Sequence, residues 1–262
     1  MDMHLKDKLA LVTGSTKGIG HAIAVGLARE GARVIVNGRS QQSVDAALQS
    51  LAKAVPGAQA EGHAGDLSDP SQVAALVGRF PDVDVLVNNL GIFDPKPFED
   101  IPDEDWQHFF DTNVMSGVRL TRAYLPKMKA KDWGRVVFIS SESGVQIPVE
   151  MIHYGVTKSA QISLARGLAE SCAGTRVTVN SVLPGPTQSE GVVDFVNKLS
   201  GGKSFEAFQR EFFETARPSS LLKRFITPEE IASLVVYVCS EAASATNGAA
   251  LRVDGGVIRS AF

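Results

Sequence analysis

Short β-branched runs alternate with longer stretches of helical spacing along the whole chain. The short runs fall at Leu9–Thr13, Val34–Asn37, Val83–Asn88, Arg135–Ser140, Arg176–Val182 and Leu251–Val253, with a weaker candidate at Gln59–His63. Most read as continuous Val, Ile and Leu rather than as apolar–polar alternation, which predicts strands covered on both faces. The segments between them carry apolar residues at helical spacing and begin near Gly18, Gln41, Pro70, Pro102, His153 and Pro228. Two starts are punctuated. One is Ser68-Asp69-Pro70; the other is Thr227-Pro228-Glu229-Glu230, where Thr227 can cap the helix and Pro228 suits its first position. This alternation predicts βαβ units with right-handed crossovers, and hence an α/β fold: a doubly wound, mostly parallel sheet with helices on both faces.

One stretch, at about 185–218, breaks the rhythm. It holds Phe195, Phe205, Phe208, Phe212 and Phe213, interrupted by Gly201-Gly202. Insertions at the carboxyl ends of parallel strands line the ligand crevice, so the segment is read as a helical flap over a substrate site. A helical hairpin that only completes the core is the competing reading. No second domain, repeat or low-complexity tract is visible, and the chain, 1–262, reads as a single domain.

Composition excludes more than it assigns. With 44% hydrophobic and 21% charged residues the chain is globular. Its 26 basic and 29 acidic residues leave a net charge of -3, with no basic surplus for nucleic acid or an anionic membrane. No apolar run approaches the roughly 18 residues that span a bilayer. Met1–Lys8 is charged and unlike a signal peptide. A soluble, cytoplasmic protein is expected. Cys172 and Cys239 are far apart in apolar helical contexts and read as buried hydrophobes. No His/Cys/Asp cluster has ligand spacing, so no metal is expected.

Chemistry concentrates at two places. Thr13-Gly14-Ser15-Thr16-Lys17-Gly18-Ile19-Gly20 follows a strand and opens a helix. Its glycines permit a tight turn, close approach to a pyrophosphate and close helix–strand packing, and the helix start offers unpaired N–H groups. The second strand ends Asn37-Gly38-Arg39-Ser40, without the carboxylate that usually accepts from the ribose of NAD. Arg39 and Lys17 would instead pair with a 2′-phosphate, so NADP(H) is expected. Asp66, in Gly65-Asp66-Leu67, either accepts from the adenine amino group or joins the cap at Ser68–Asp69. Asn88-Asn89-Leu90-Gly91 makes another turn facing the cofactor.

Tyr154 and Lys158 are four apart on a predicted helix and share a face. A free phenol titrates near 10 and is a poor base at neutral pH. A neighbouring ammonium, together with an oxidised nicotinamide, favours the phenolate and suits the pair to shuttle a proton. Ser141 precedes Tyr154 by 13 positions, and Asn113 is a polar residue on an otherwise apolar helix face.

These features together resemble the short-chain dehydrogenase/reductase family, in its short single-domain branch, over nearly the whole chain. The resemblance rests on T-G-x-x-x-G-I-G at Thr13–Gly20, the turn at Asn88–Gly91, Ser141, Y-x-x-x-K at Tyr154 and Lys158, Pro184-Gly185, and the ending Val253-Asp254-Gly255-Gly256. It implies a seven-stranded sheet with the dinucleotide across its carboxyl edge. It implies Tyr154 as acid/base, Ser141 holding the substrate oxygen, and Lys158 bonding the nicotinamide ribose and lowering the tyrosine pKa. Asn113 would hold a relay water. Thr187, after Pro184-Gly185-Pro186, would meet the nicotinamide amide. The resemblance further implies a homo-tetramer or homodimer built through the helices that carry Asn113 and Tyr154. Two positions depart from the family pattern: Leu90 stands where the turn usually has alanine, and Thr157 where serine precedes the lysine. Ser140 and Ser143 are alternatives to Ser141, which the 13-residue gap favours.

Glu142, Val145, Gln146, Val149, Met151 and His153 lie where the pocket lining is expected, and with the flap phenylalanines they suggest a largely apolar site for a small to medium carbonyl or alcohol substrate. His153 either contacts the substrate or is a neutral residue at the helix start. The expected activity is hydride transfer between NADP(H) and a carbonyl or alcohol carbon. The competing classes are a catalytically silent NADP(H)-binding regulator, and an epimerase or dehalogenase on the same fold.

Overall fold

The computed structural model describes residues 2–188 and 204–261. Its elements follow the order β1 (Leu9–Val12), α1 (Gly18–Arg29), β2 (Arg33–Gly38), α2 (Gln41–Ala54), β3 (Ala60–Ala64), α3 (Pro70–Arg79), β4 (Val85–Asn88), α4 (Asp103–Phe110), α5 (Ser116–Ala130), β5 (Gly134–Ile139), α6 (Ile152–Ser171), β6 (Val177–Pro184), α7 (Phe205–Thr215), α8 (Pro228–Cys239) and β7 (Ala250–Val253). Phe195 and Gly201-Gly202 lie outside the described residues.

The strands form one seven-stranded sheet in the order β3-β2-β1-β4-β5-β6-β7, with every pairing parallel. Successive side chains of a strand go to opposite faces. Ala10 and Val12 of β1 join Val34, Val36, Val85 and Val87 in a core under α1 and α8. Leu11 joins Ile35, Leu86, Val136 and Phe138 in a second core under α3, α5 and α6. This two-sided burial is why the strands read as unbroken apolar runs. The edge strand β3 has one neighbour and is only partly buried, which accounts for its weak signal.

The helix starts obey their local chemistry. Asp69 accepts from the Ser71 N–H at 2.7 Å, with Pro70 in the first turn. Thr227 and Glu230 form a reciprocal capping box before α8. One expectation needs correction. The segment that begins near Pro102 is not one α-helix: α4 passes into a π-helical turn, Asp111–Met115, before α5 begins. Asn113 sits on that turn rather than on a regular helix. A π turn carries one more residue per hydrogen-bonded loop and often occurs at a functional site.

Candidate active site

The strand order reverses at β1. From there the chain runs outward to β2 and β3, then returns to place β4 on the other side. Ligands of doubly wound sheets bind beyond the carboxyl ends of the strands at such a switch point. The loops after β1 and β4 meet there and are tied by neutral hydrogen bonds. Asn89 donates through Nδ2 to the carbonyls of Thr13 (2.9 Å) and Gly14 (3.0 Å). Thr13 Oγ1 accepts from the N–H groups of Asn89 and Leu90, each at 2.9 Å. Asn37 Oδ1 accepts from the Gly14 N–H at 3.1 Å, while its Nδ2 donates to the Gly65 carbonyl at 3.2 Å.

The loop has the form of a cradle. Gly14 has φ +59°, a left-handed conformation, and a Cβ on Gly20 would lie 2.5 Å from both Asn89 Nδ2 and the Gly14 carbonyl oxygen. No side chain caps the start of α1, so its first N–H groups remain available to an anion. These features fit a dinucleotide pyrophosphate. Thr16 and Gly38 are in close contact, since a Cβ on Gly38 would fall 2.3 Å from Thr16 Cγ2. Lys17 and Arg39 are each the next residue along, and both are exposed. Asp66 Oδ1 accepts from the N–H and hydroxyl of Ser68 at 3.0 and 2.7 Å, so it takes part in the turn before α3. Leu67 beside it is buried.

A cavity of about 580 Å³ runs from this loop to β5 and α6. Lys17, Gly18, Ile19, Gly20 and Asn89 line one end of it; Gly91, Ser141, Tyr154, Lys158, Pro184, Gly185 and Thr187 line the other, with Gly91 directly beside Lys158 Nζ. Ser141 lies beside the Tyr154 phenol, near enough for its hydroxyl to lower the phenol's pKa. The two alternative serines also border the cavity, but their hydroxyls are engaged: Ser140 donates to the Lys158 carbonyl (2.8 Å) and Ser143 to Glu142 Oε2 (2.6 Å). Lys158 Nζ donates to the Ile139 carbonyl at 2.9 Å and to Gln161 Oε1 at 3.2 Å. Desolvation pushes the Tyr154 phenol up to about 12, against the lowering effect of the Ser141 hydroxyl, and burial pushes Lys158 down to about 7. In the chain alone, burial thus outweighs the depression of the tyrosine expected from its lysine.

Asn113 is buried and fully engaged. Its Oδ1 accepts from the Ile92 N–H (2.8 Å), and its Nδ2 donates to the Ile92 carbonyl and to Thr157 Oγ1, each at 3.0 Å. Its own carbonyl accepts from Gln161 Nε2 at 2.5 Å. Gln161 thus bridges Lys158 to the π turn, a link that no motif announced.

Beyond Tyr154 the cavity changes character. Phe208 and Phe212 of α7, with Phe225, form an aromatic wall, while Phe213 packs in the core. The described part of the 185–218 segment therefore serves both the cavity and the core. Beside the wall, with the Arg217 guanidinium over the Phe212 ring, lies a buried ion pair, Glu142 with Arg217. Of the positions expected to line the pocket, Glu142 and Met151 do so, whereas Val145 and Val149 are exposed. His153 is 1% exposed and packs on Phe109 at a ring distance of 4.0 Å; burial lowers its pKa, so it is a neutral core residue. Cys172 and Cys239 are buried. Among the described residues there is no cluster that could hold a metal, and no helix is long and apolar enough to cross a membrane.

A family model described as Enoyl-(Acyl carrier protein) reductase matches residues 14–258. The chain is 49% identical over 265 residues to "Uncharacterized oxidoreductase YvrD" of Bacillus subtilis (strain 168), covering 99% of this chain and 100% of that protein. It is 35% identical over 266 residues to "Dehydrogenase/reductase SDR family member 4" of Bos taurus, covering 96% and 88%. The chain belongs to the short-chain dehydrogenase/reductase family. Among solved structures it is similar to L-sorbose reductase from Gluconobacter frateurii complexed with NADPH and L-sorbose, with a TM-score of 0.93 and 32% identity over 99% of this chain and 100% of that one. Like other short-chain dehydrogenases/reductases, it is an oxidoreductase. Its two departures from the family pattern are quiet ones. Leu90 packs against the core beneath the sheet and does not line the cavity. Thr157 uses its hydroxyl to link the Tyr154 carbonyl (2.7 Å) to Asn113.

Proposed function

We propose that this short-chain dehydrogenase/reductase is an NADP(H)-dependent enzyme that interconverts a carbonyl and an alcohol on a small to medium, largely apolar substrate. The observation that carries the reading is the Tyr154 phenol, beside Ser141 and one helical turn from Lys158, in a cavity whose far end is the glycine cradle. Gly14, Ser15, Thr16, Gly18, Ile19 and Gly20 would hold the pyrophosphate, and Lys17 and Arg39 the 2′-phosphate. Asp66 and Leu67 would meet the adenine; Asn89, Gly91, Pro184, Gly185 and Thr187 would meet the nicotinamide half. When bound, the nicotinamide supplies or accepts the hydride, and in its oxidised form adds a positive charge to the site.

The chain's own groups manage the proton. With its phenol held well above neutrality, Tyr154 keeps its proton until the substrate oxygen can take it, as reduction requires. Ser141 holds that oxygen beside the phenol. Lys158 is fixed by Ile139 and Gln161 and would bond the nicotinamide ribose. Asn113 braces the Ile92 strap and, through Thr157, the turn of helix below Tyr154. The aromatic wall excludes water.

Replacing Tyr154 by phenylalanine tests the reading. NADPH consumption with a panel of ketones and aldehydes should fall about 10²–10⁴-fold, while NADPH binding persists. Unchanged turnover in Tyr154→Phe would overturn it. The same reading has the enzyme acting as a homodimer or homo-tetramer through α5 and α6, which light scattering of the purified protein would check; a monomer at micromolar concentration would refute that part.

A further inference from the structure

Beside Ser141 the cavity holds a charge cluster that the proton-handling groups do not use. Glu142, 4% exposed, accepts through Oε1 from Arg217 Nε at 2.8 Å and through Oε2 from the Ser143 hydroxyl at 2.6 Å. Arg217, 8% exposed, donates through Nη1 to Glu150 at 3.1 Å and to the Ala216 carbonyl at 2.8 Å. Its Nη2 has no acceptor among the described residues. All three charged side chains line the cavity. Glu142 and Arg217 act electrostatically, with opposite sign, on the Tyr154 phenol, which places them at the reacting end. Burial alone would lower the Arg217 pKa, but the two carboxylates raise it, so the guanidinium stays charged.

Removing such groups from water is costly, and well-packed apolar side chains would join the Ser141 loop to the segment before α8 at least as well. Charge retained on a cavity wall, with donor capacity left open, matches a polar group on a ligand. On the reading of this site as a hydride-transferring centre, on which this inference rests, we propose that Glu142 and Arg217 grip a hydroxyl next to the reacting carbon, so that the substrate is a neutral hydroxyketone or the corresponding diol. A hydroxyl both donates and accepts, and so satisfies a Glu142 lone pair and the open Nη2 together. A carboxylate or phosphate would meet two negative charges against one positive and be repelled. A ketone without the hydroxyl would leave Nη2 unpaired in a closed site, and sites built around a hydroxyl discriminate strongly against its absence. Phe208, Phe212 and Phe225 would pack on the carbon skeleton.

The test is NADPH-dependent reduction of hydroxyacetone, acetone, pyruvate and dihydroxyacetone phosphate by the wild type, Glu142→Gln and Glu150→Gln. In the wild type, kcat/KM for hydroxyacetone should exceed that for acetone by about 10–100-fold, with both anions slower than hydroxyacetone. Glu142→Gln should cut the hydroxyacetone-to-acetone ratio by roughly tenfold, mostly through KM. A pair that only holds the fold together would move both ketones equally and leave the ratio intact, and that result overturns the proposal. Glu150 is 44% exposed, so its replacement should be tolerated even if Glu142→Gln does not fold. Removing its charge should raise kcat/KM for pyruvate roughly tenfold; no rise would count against the proposal. A wild type that reduces acetone as well as hydroxyacetone would overturn this inference alone. Silence on every ketone, with NADPH bound, would overturn the oxidoreductase reading and this inference with it.

Discussion

At the glycine-loop end of the cavity, Asn37, Asn89 and Thr13 tie backbone to backbone with neutral hydrogen bonds, and the two cations nearby, Lys17 and Arg39, stay at the surface. At the Tyr154 end the arrangement is reversed. Ionisable groups lie inside: Lys158 is 4% exposed, and Glu142 and Arg217 face one another beside an aromatic wall. The first end shapes backbone to receive an anion and leaves long-range charge in solvent. The second buries ionisable groups at the place where, on the proposed function, a proton moves, and there burial itself shifts Tyr154 and Lys158. Damage to the first end should therefore read out as cofactor affinity, and damage to the second as stability and chemistry.

The largest effect on this contrast is expected at Arg217. Arg217→Met leaves Glu142 buried without its partner and should lower unfolding stability by about 3–5 kcal/mol, measured by denaturant titration. Stability unchanged within error would mean that the pair is not desolvated as described. Next comes Arg39→Ser at the other end. It should weaken NADPH binding by about 1.5–3 kcal/mol, the worth of a charge-assisted hydrogen bond, and leave NADH binding alone; equal losses for the two cofactors would remove the 2′-phosphate role. Gly20→Ala should be less selective. Its Cβ meets Asn89 and the Gly14 carbonyl, an overpacking of about 1–3 kcal/mol, and titration should show NADPH and NADH affinities falling together.

Per unit of change, the smallest effect is a slope. In the cofactor-free protein, Lys158 is held near 7 against 10.5 when unfolded, so between these values the unfolded chain binds the extra proton. Stability then rises with pH across that window by at most about 1.4 kcal/mol per unit, and the penalty is fullest below pH 7. Melting curves of wild type and Lys158→Met across that window should converge on this account, the variant losing its advantage as pH rises. A constant difference would show that Lys158 is not held neutral by burial.

The two ends were also unequally legible from sequence. The cradle is written in consecutive residues, Thr13–Gly20, because a tight turn that must admit a phosphate permits little besides glycine. Tyr154 and Lys158 were readable because four residues make one helical turn, and the alternating strands fixed the parallel sheet because both faces are covered. What sequence left out acts across distance or against rule. Glu142 and Arg217 are 75 residues apart, and nothing local to either announces the other. Asn37 reads as an ordinary strand end until it is seen holding Gly14. The π turn under Asn113 has no periodic signature, since its extra residue is absorbed between two helices that look continuous. Sequence leaves His153 open between substrate contact and a neutral residue at the helix start; it is a core residue, because the aromatic rings that bury it come from α4.

The central claim, that Tyr154 hands a proton to an oxygen whose carbon receives hydride in this cavity, is tested most directly by following the hydrogen. NADPH deuterated on the transferring face of its nicotinamide is incubated with the ketone panel, and the products are examined by mass spectrometry. The account predicts deuterium on the new carbinol carbon with wild type, and almost none with Tyr154→Phe under conditions where that variant still binds NADPH. Product formed without deuterium, or labelled equally by both proteins, would contradict it.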